Sequence, residues 1–221
     1  MHSVSYHILS LLSNTMLFIT LIALGYSYYK TKRKLLKYLF FFFIYYNISN
    51  TVMIILASKG IHNICGEVLF INLEYIFYFL LYYYILHKKA SKRITLSGLI
   101  LFEAYFIWDY IFHFKSWDYF PGISIAIGQV LMIFVLFLFL LEMMSSEKIM
   151  QIQRYFIFWL TIGLLFYYIV PLPVSIATEF FINGKYSTDI YGFVISIQLI
   201  SNIVLYSLII LGTKWRSTTY K

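Results

Sequence analysis

Two glutamates, Glu74 and Glu103, lie inside runs made almost wholly of Ile, Leu, Phe and Tyr, "INLEYIFYFLLYYYI" at 71–85 and "ITLSGLILFEAYFIW" at 94–108. A carboxylate at the centre of a bilayer costs about 2.5–3.5 kcal/mol or more unless it is protonated, paired or hydrated. Neither run holds a Lys or Arg at that depth. At least one of the two is therefore expected to carry a proton, or to share one with Asn, Gln or Tyr. Amides recur at comparable depth in other runs: Asn47 and Asn50, Gln129, Gln198 and Asn202. The pairs Asn47/Asn50, Gln198/Asn202 and Glu67/Glu74 are spaced i,i+3, i,i+4 and i,i+7, so each lies on one stripe of a helix. The spacing predicts a mid-membrane polar centre built by the second, third, fourth, fifth and seventh runs. Interhelical hydrogen bonds worth at most about 1–2 kcal/mol each account for the amides. For Glu74 the packing and functional readings both stand. Glu103 leans to packing, because Tyr105 and Tyr110 offer local partners.

Other chemistry is thin. Asp109 and His113 are i,i+4, the one spacing that suggests a metal or pH-sensing pair, or an acid–base pair acting on lipid. His2, His7, His62 and His87 are scattered, and interfacial histidine is the preferred reading of all five. There is no HExxH, nucleophile elbow, P-loop or dinucleotide fingerprint. The last run has no lysine between Tyr191 and Leu211, so a retinal Schiff base is excluded. The single cysteine, Cys65, excludes an internal disulfide and a cysteine zinc site. No catalytic residue, metal ligand or cofactor is assigned, and an enzyme is not expected.

These side chains need a scaffold, and the composition names it. Of 221 residues 62% are hydrophobic, 22% aromatic and only 12% charged. Mean hydropathy is +0.81. A soluble domain carries roughly 25% charged residues. Apolar runs fall at 6–29, 35–58, 64–86, 94–114, 122–144, 155–182 and 189–211. Each is long enough to cross about 30 Å of hydrocarbon as a helix. The expected fold is all-α: one polytopic domain over 1–221, with seven transmembrane helices. The start, "MHSVSYHILSLLSNTMLF", lacks a basic n-region and a cleavage site, so the first run reads as a retained helix. Pro171 and Pro173, in "VPLP", lack amide donors and predict a kink or an end in the sixth helix, with "SIATEFFI" as an outer extension.

Fourteen of the 17 Lys and Arg residues fall on one set of alternating loops and three on the other. The first set holds Lys30, Lys32, Arg33, Lys34 and Lys37; then Lys88, Lys89, Lys92 and Arg93; then Lys148 and Arg154; and the tail Lys214, Arg216 and Lys221. The second holds only Lys59, Lys115 and Lys185. By the positive-inside rule the N-terminus is outside and the C-terminus cytoplasmic. The net charge of +8 is then an anchor on anionic headgroups, not a nucleic-acid surface. Tyr28, Tyr29, Tyr38, Trp117, Tyr119, Tyr155, Trp159 and Trp215 sit near the boundaries, as interfacial aromatics do.

The third run can be laid on the seventh at a shift of 124, matching Glu74 with Gln198 and Tyr82 with Tyr206, and "YY" recurs at 45–46 and 167–168. That suggests a three-plus-one-plus-three arrangement of parallel repeats. The stretches "INLEYIFYFLLYYYILHKK", "YFIFWLTIGLLFYYIVPLPVSIA" and "ISNIVLYSLIILGTKW" resemble uncharacterised seven-helix integral membrane proteins common in Bacteroidetes. The resemblance implies a multi-pass protein of the bacterial inner membrane and brings no catalytic residues with it. The expected function is a receptor-like or accessory signalling module. Its separate cytoplasmic partner would dock on the basic residues Lys32, Arg33, Lys34, Lys88, Lys89, Lys92 and Arg93. The alternative is a small proton-coupled transporter or channel with Glu74 as proton carrier.

Overall fold

The computed structural model describes residues 2–60, 64–113, 119–145, 149–177 and 188–214, with side chains from 7, 64, 119, 152 and 195 onward in the respective segments. Trp117, Lys115, Lys148, Lys185, His62, Trp215, Arg216 and Lys221 lie outside these residues, as does the end of "SIATEFFI". Among the described residues every regular element is helical and there is no strand. In hydrocarbon each backbone amide must be paired within the chain, and the helix does this segment by segment.

The helices are α1 (His2–Thr31), α2 (Lys34–Ser58), α3 (Ile64–Ile85), α4 (Lys89–His113), α5 (Gly122–Met144), α6 (Phe156–Ile169) and α7 (Thr188–Thr213), with a short 3-10 turn at Ile149–Arg154. The α6 helix breaks at Val170–Pro171 and resumes over 172–177, so that the span as a whole is Phe156–Ala177. Among the described residues seven helical segments are thus long and apolar enough to cross a membrane, which supports a multi-pass membrane protein. Several helices outrun the apolar runs. The clearest case is α4, which begins at Lys89 rather than 94. Hydropathy marks where hydrocarbon ends; capping decides where the helix ends.

Lys32 takes φ 55 and donates its N–H to Tyr28 O at 2.7 Å, closing α1 with a left-handed residue before Arg33 turns extended. Gly60, at φ 70, closes α2 and bonds Ala57 O at 3.0 Å.

Packing closes a ring in which α1 packs on α2, α2 lightly on α3, α3 on α5, α5 on α6, α6 on α7 and α7 back on α1, with α4 outside it against α3 and α5. Two features matter for function. The α3 helix leans inward to touch α5, and the backbones of α2 and α3 barely meet. Aromatic side chains bridge that gap, with Phe42 stacked on Phe77 at 3.9 Å between centroids and Tyr46 edge-on to Phe70 at 4.7 Å. By contrast α6 and α7 approach closely. A Cβ on Gly163 would stand 2.9 Å from Leu205 Cδ1, and one on Gly212 would stand 3.0 Å from Trp159 Cβ. Each helix offers a glycine to the other's side chains, the small-residue packing expected where no hydrophobic force drives helices together.

The interior seam is dense towards the end that carries the basic loops. Leu36, Leu39, Phe79, Tyr82, Phe139, Leu164 and Ile209 are fully buried there. The outside is a belt of exposed Leu11, Phe18, Ile22, Ile48, Ile100, Ile111 and Phe134, a surface suited to lipid.

Candidate functional site

At the opposite end the ring opens into a cavity of about 480 Å³. Its walls come from the first half of α1 (Ser10, Asn14), the second half of α2 (Tyr46 to Ala57), the first half of α3 (Ile64 to Tyr75), the start of α5 (Ile125, Gln129), the end of α6 (Tyr167, Tyr168) with Val174 and Ser175 beyond the proline break, and α7 from Ile195 to Asn202. The gap between α2 and α3 is what makes room for it.

Glu74 is buried at 5% exposure, halfway along α3. Glu67 stands two turns nearer the mouth on the same stripe, about 10 Å away along the axis, and is exposed. Tyr167 on α6 donates its hydroxyl proton to Glu74 Oε2 at 3.1 Å. Tyr46, Tyr75, Tyr78, Tyr168 and Tyr206 are also in the neighbourhood of Glu74. Tyr75 organises the far wall. Its hydroxyl bonds Ile125 O at 3.1 Å, and its ring stacks on Tyr168 at 5.6 Å. A Cβ on Gly128, the neighbour of Gln129, would lie 3.0 Å from its Cζ. Around the rim Asn50 Nδ2 donates to Asn14 Oδ1 at 2.9 Å, and Gln198 Nε2 donates to Asn202 Oδ1 at 3.3 Å. Gln129 Oε1 and Tyr168 Oη are buried with no hydrogen-bond partner among the described residues.

Of the expected polar centre, Asn50, Glu74, Gln129, Gln198 and Asn202 line the cavity, and Asn47 and Glu103 do not. Asn47 turns back to its own helix and donates to Phe43 O at 2.8 Å. The α4 helix contributes nothing to the wall, because it packs outside α3 and α5 and turns Phe102, Phe106 and Asp109 inward. Glu103, one residue along from Phe102, is left on the α3 flank, half-buried. Its partner is Asn72, whose Nδ2 donates to Glu103 Oε2 at 3.3 Å, rather than the tyrosines of its own helix. The α1 and α6 helices, which the spacing did not implicate, supply part of the wall instead. The signals were present: Ser10 and Asn14 are i,i+4 in an apolar run, and "YY" at 167–168 precedes the proline break. Glu74 and Gln198, which the repeat superposes, face the same cavity.

Asp109 is a latch. It is buried, and it accepts hydrogen bonds from Ser124 Oγ, from Tyr119 Oη at 2.8 Å and from His113 Nδ1 at 2.7 Å. Its carboxylate is occupied in tying α4 to the start of α5. No group of three or more His, Cys, Asp or Glu side chains is placed to hold a metal ion among the described residues. Pro171 and Pro173 mark the break that lets Val174 and Ser175 reach the cavity. Lys32, Lys34, Lys88, Lys89 and Arg93 are exposed and Arg33 and Lys92 half-buried at the other end. There Lys32 lies over Tyr29 at 4.7 Å and Lys92 over Tyr83 at 5.6 Å.

No protein-family model, curated protein or solved structure matches the chain. The functional reading rests on this geometry.

Proposed function

We propose that the chain is a receptor-like or accessory signalling module of the bacterial inner membrane, with its N-terminus outside and its C-terminus cytoplasmic. It takes a small ligand into the cavity and acts through a separate cytoplasmic partner on the basic end. One observation carries the reading: a cavity near one end of the bundle whose wall includes the buried Glu74, while side chains towards the basic end, such as Leu39, Phe79 and Phe139, are fully buried. A cavity lined by buried polar side chains suits binding. A ligand wedged among α2, α3, α6 and α7 changes their relative positions, and their far ends carry or adjoin the exposed basic loops. The lopsided distribution of Lys and Arg supports the orientation.

The test is crosslinking of a C-terminally tagged protein in native membranes, followed by mass spectrometry. A recurrent cytoplasmic protein is expected, and it should be lost when Lys88, Lys89, Lys92 and Arg93 are changed to Gln. Partnerless recovery would sink the signalling reading.

The proline break favours a second reading. Broken helices border substrate sites in transporters, and here the segment beyond Pro171 lines the cavity that holds Glu74. A proton-coupled transporter would acidify proteoliposomes on addition of its solute, and Glu74→Gln would stop it. A pH gradient that leaves flux unchanged would exclude this reading.

A further inference from the structure

We propose that the cavity is a site for a small organic ammonium ion carrying N–H donors, held by Glu74, Gln129 and a cage of tyrosine rings. The inference deepens the ligand-binding reading above and rests on it. The first observation is charge. In a chain of net charge +8, the described residues of the cavity wall include two carboxyl groups, Glu67 and Glu74, and no Lys, Arg or His. Glu74 is buried beside tyrosines, with no cationic partner among the described residues. An anion entering this space meets two carboxyl groups and, among the described residues, no cationic side chain to offset its charge. A neutral polyol can satisfy hydrogen bonds but gains nothing from ionisation of Glu74, whereas an ammonium ion stabilises the carboxylate form.

The second observation is independent of the acids. Gln129 is 4% exposed and Tyr168 2%, and both line the cavity with polar atoms, Oε1 and Oη, that have no partner among the described residues. A buried acceptor left unpaired costs about 1–3 kcal/mol, and a ligand bearing N–H groups removes that cost. The Tyr75 ring joins these groups into one neighbourhood, since it follows Glu74 in the chain, abuts Gly128 and stacks on Tyr168. The third observation is the wall itself. Tyr46, Tyr75, Tyr167 and Tyr168 line it, and aromatic rings attract cations through the ring quadrupole, most strongly where water is excluded. They offer few ligands to a bare metal ion. The volume of about 480 Å³ leaves room for an apolar arm on the ammonium.

The test uses the full chain in lipid nanodiscs, with empty nanodiscs subtracted, and isothermal titration with three probes of one shape: 2-phenylethylammonium, 2-phenylethanol and phenylacetate. The ammonium is expected to bind one saturable site at least about tenfold tighter than the alcohol, and phenylacetate not to saturate. Glu74→Gln is expected to weaken the ammonium at least about tenfold and leave the alcohol unchanged. If that variant fails to fold, Gln129→Leu serves, with an expected loss of about three- to tenfold. N-trimethylation of the probe should also weaken binding, because it removes the N–H donors. Equal binding of ammonium and alcohol, tighter binding of phenylacetate, or unchanged affinity in both folded variants would overturn the ammonium assignment while leaving a ligand cavity standing. No saturable binding by any probe would overturn the assignment and the ligand-binding reading together.

Discussion

Glu142, near the end of α5, accepts hydrogen bonds from the backbone N–H groups of His87 at 2.9 Å and Lys88 at 3.3 Å, in the turn that opens α4. A carboxylate is at the wrong end of its own helix dipole and the right end of its neighbour's. It also meets orphan amides that the first turn of α4 cannot pair internally. This one side chain explains why α4 starts in the polar "KKASKR" stretch, and it couples two of the links on the basic end.

Glu142→Ala is expected to destabilise the folded protein by about 1–2 kcal/mol, because two amides lose their acceptor. Glu142→Gln should cost less, since one acceptor oxygen remains. Thermal unfolding in detergent measures both. Hydrogen exchange should rise first around residues 86–90, and uniform exchange across the chain would count against the capping role.

Tyr167→Phe removes the proton donated to Glu74 across the floor of the cavity. The expected loss is about 0.5–1.5 kcal/mol in melting experiments. Glu103→Gln and Asn47→Ala should leave probe affinity within about twofold, because neither side chain reaches the cavity. A tenfold effect from either would mean that α4 or the far side of α2 contributes to the site after all.

Gly163→Ile is expected to cost about 1–3 kcal/mol, since the new Cβ alone would stand 2.9 Å from Leu205 Cδ1 and 3.4 Å from Leu205 Cα. Gly98→Ala is the control. Its Cβ meets only Phe79 at 3.4 Å, and the better helix former should keep the change within about 0.5 kcal/mol. Equal melting temperatures for the two variants would contradict the close approach of α6 and α7.

In a Cys65→Ser background, Lys59→Cys is expected to react with an impermeant maleimide in intact cells, and Lys34→Cys and Lys92→Cys only after permeabilisation. The opposite pattern would invert the orientation proposed here, placing the cavity on the cytoplasmic side.

Apolar run length and the placement of Lys and Arg are local properties, and they sufficed for seven helices and for the alternation of basic loops. They also flagged the break at Pro171, because a missing amide donor acts on its own helix. Helical periodicity put Glu67 with Glu74 and Gln198 with Asn202 on common stripes, and these pairs do share the cavity. What periodicity does not contain is the rotation and tilt of one helix against the next. Those depend on side-chain volumes at the contacts: Gly163 and Gly212 draw α6 and α7 together, while Phe42, Phe77, Tyr46 and Phe70 hold α2 and α3 apart. That difference placed the cavity and brought α1 and α6 into its wall. It also turned Glu103 to the α3 flank. Glu74 and Glu103 are close to indistinguishable in their own runs; only the packing of α4 outside the ring separates a cavity carboxylate from one that pairs with Asn72.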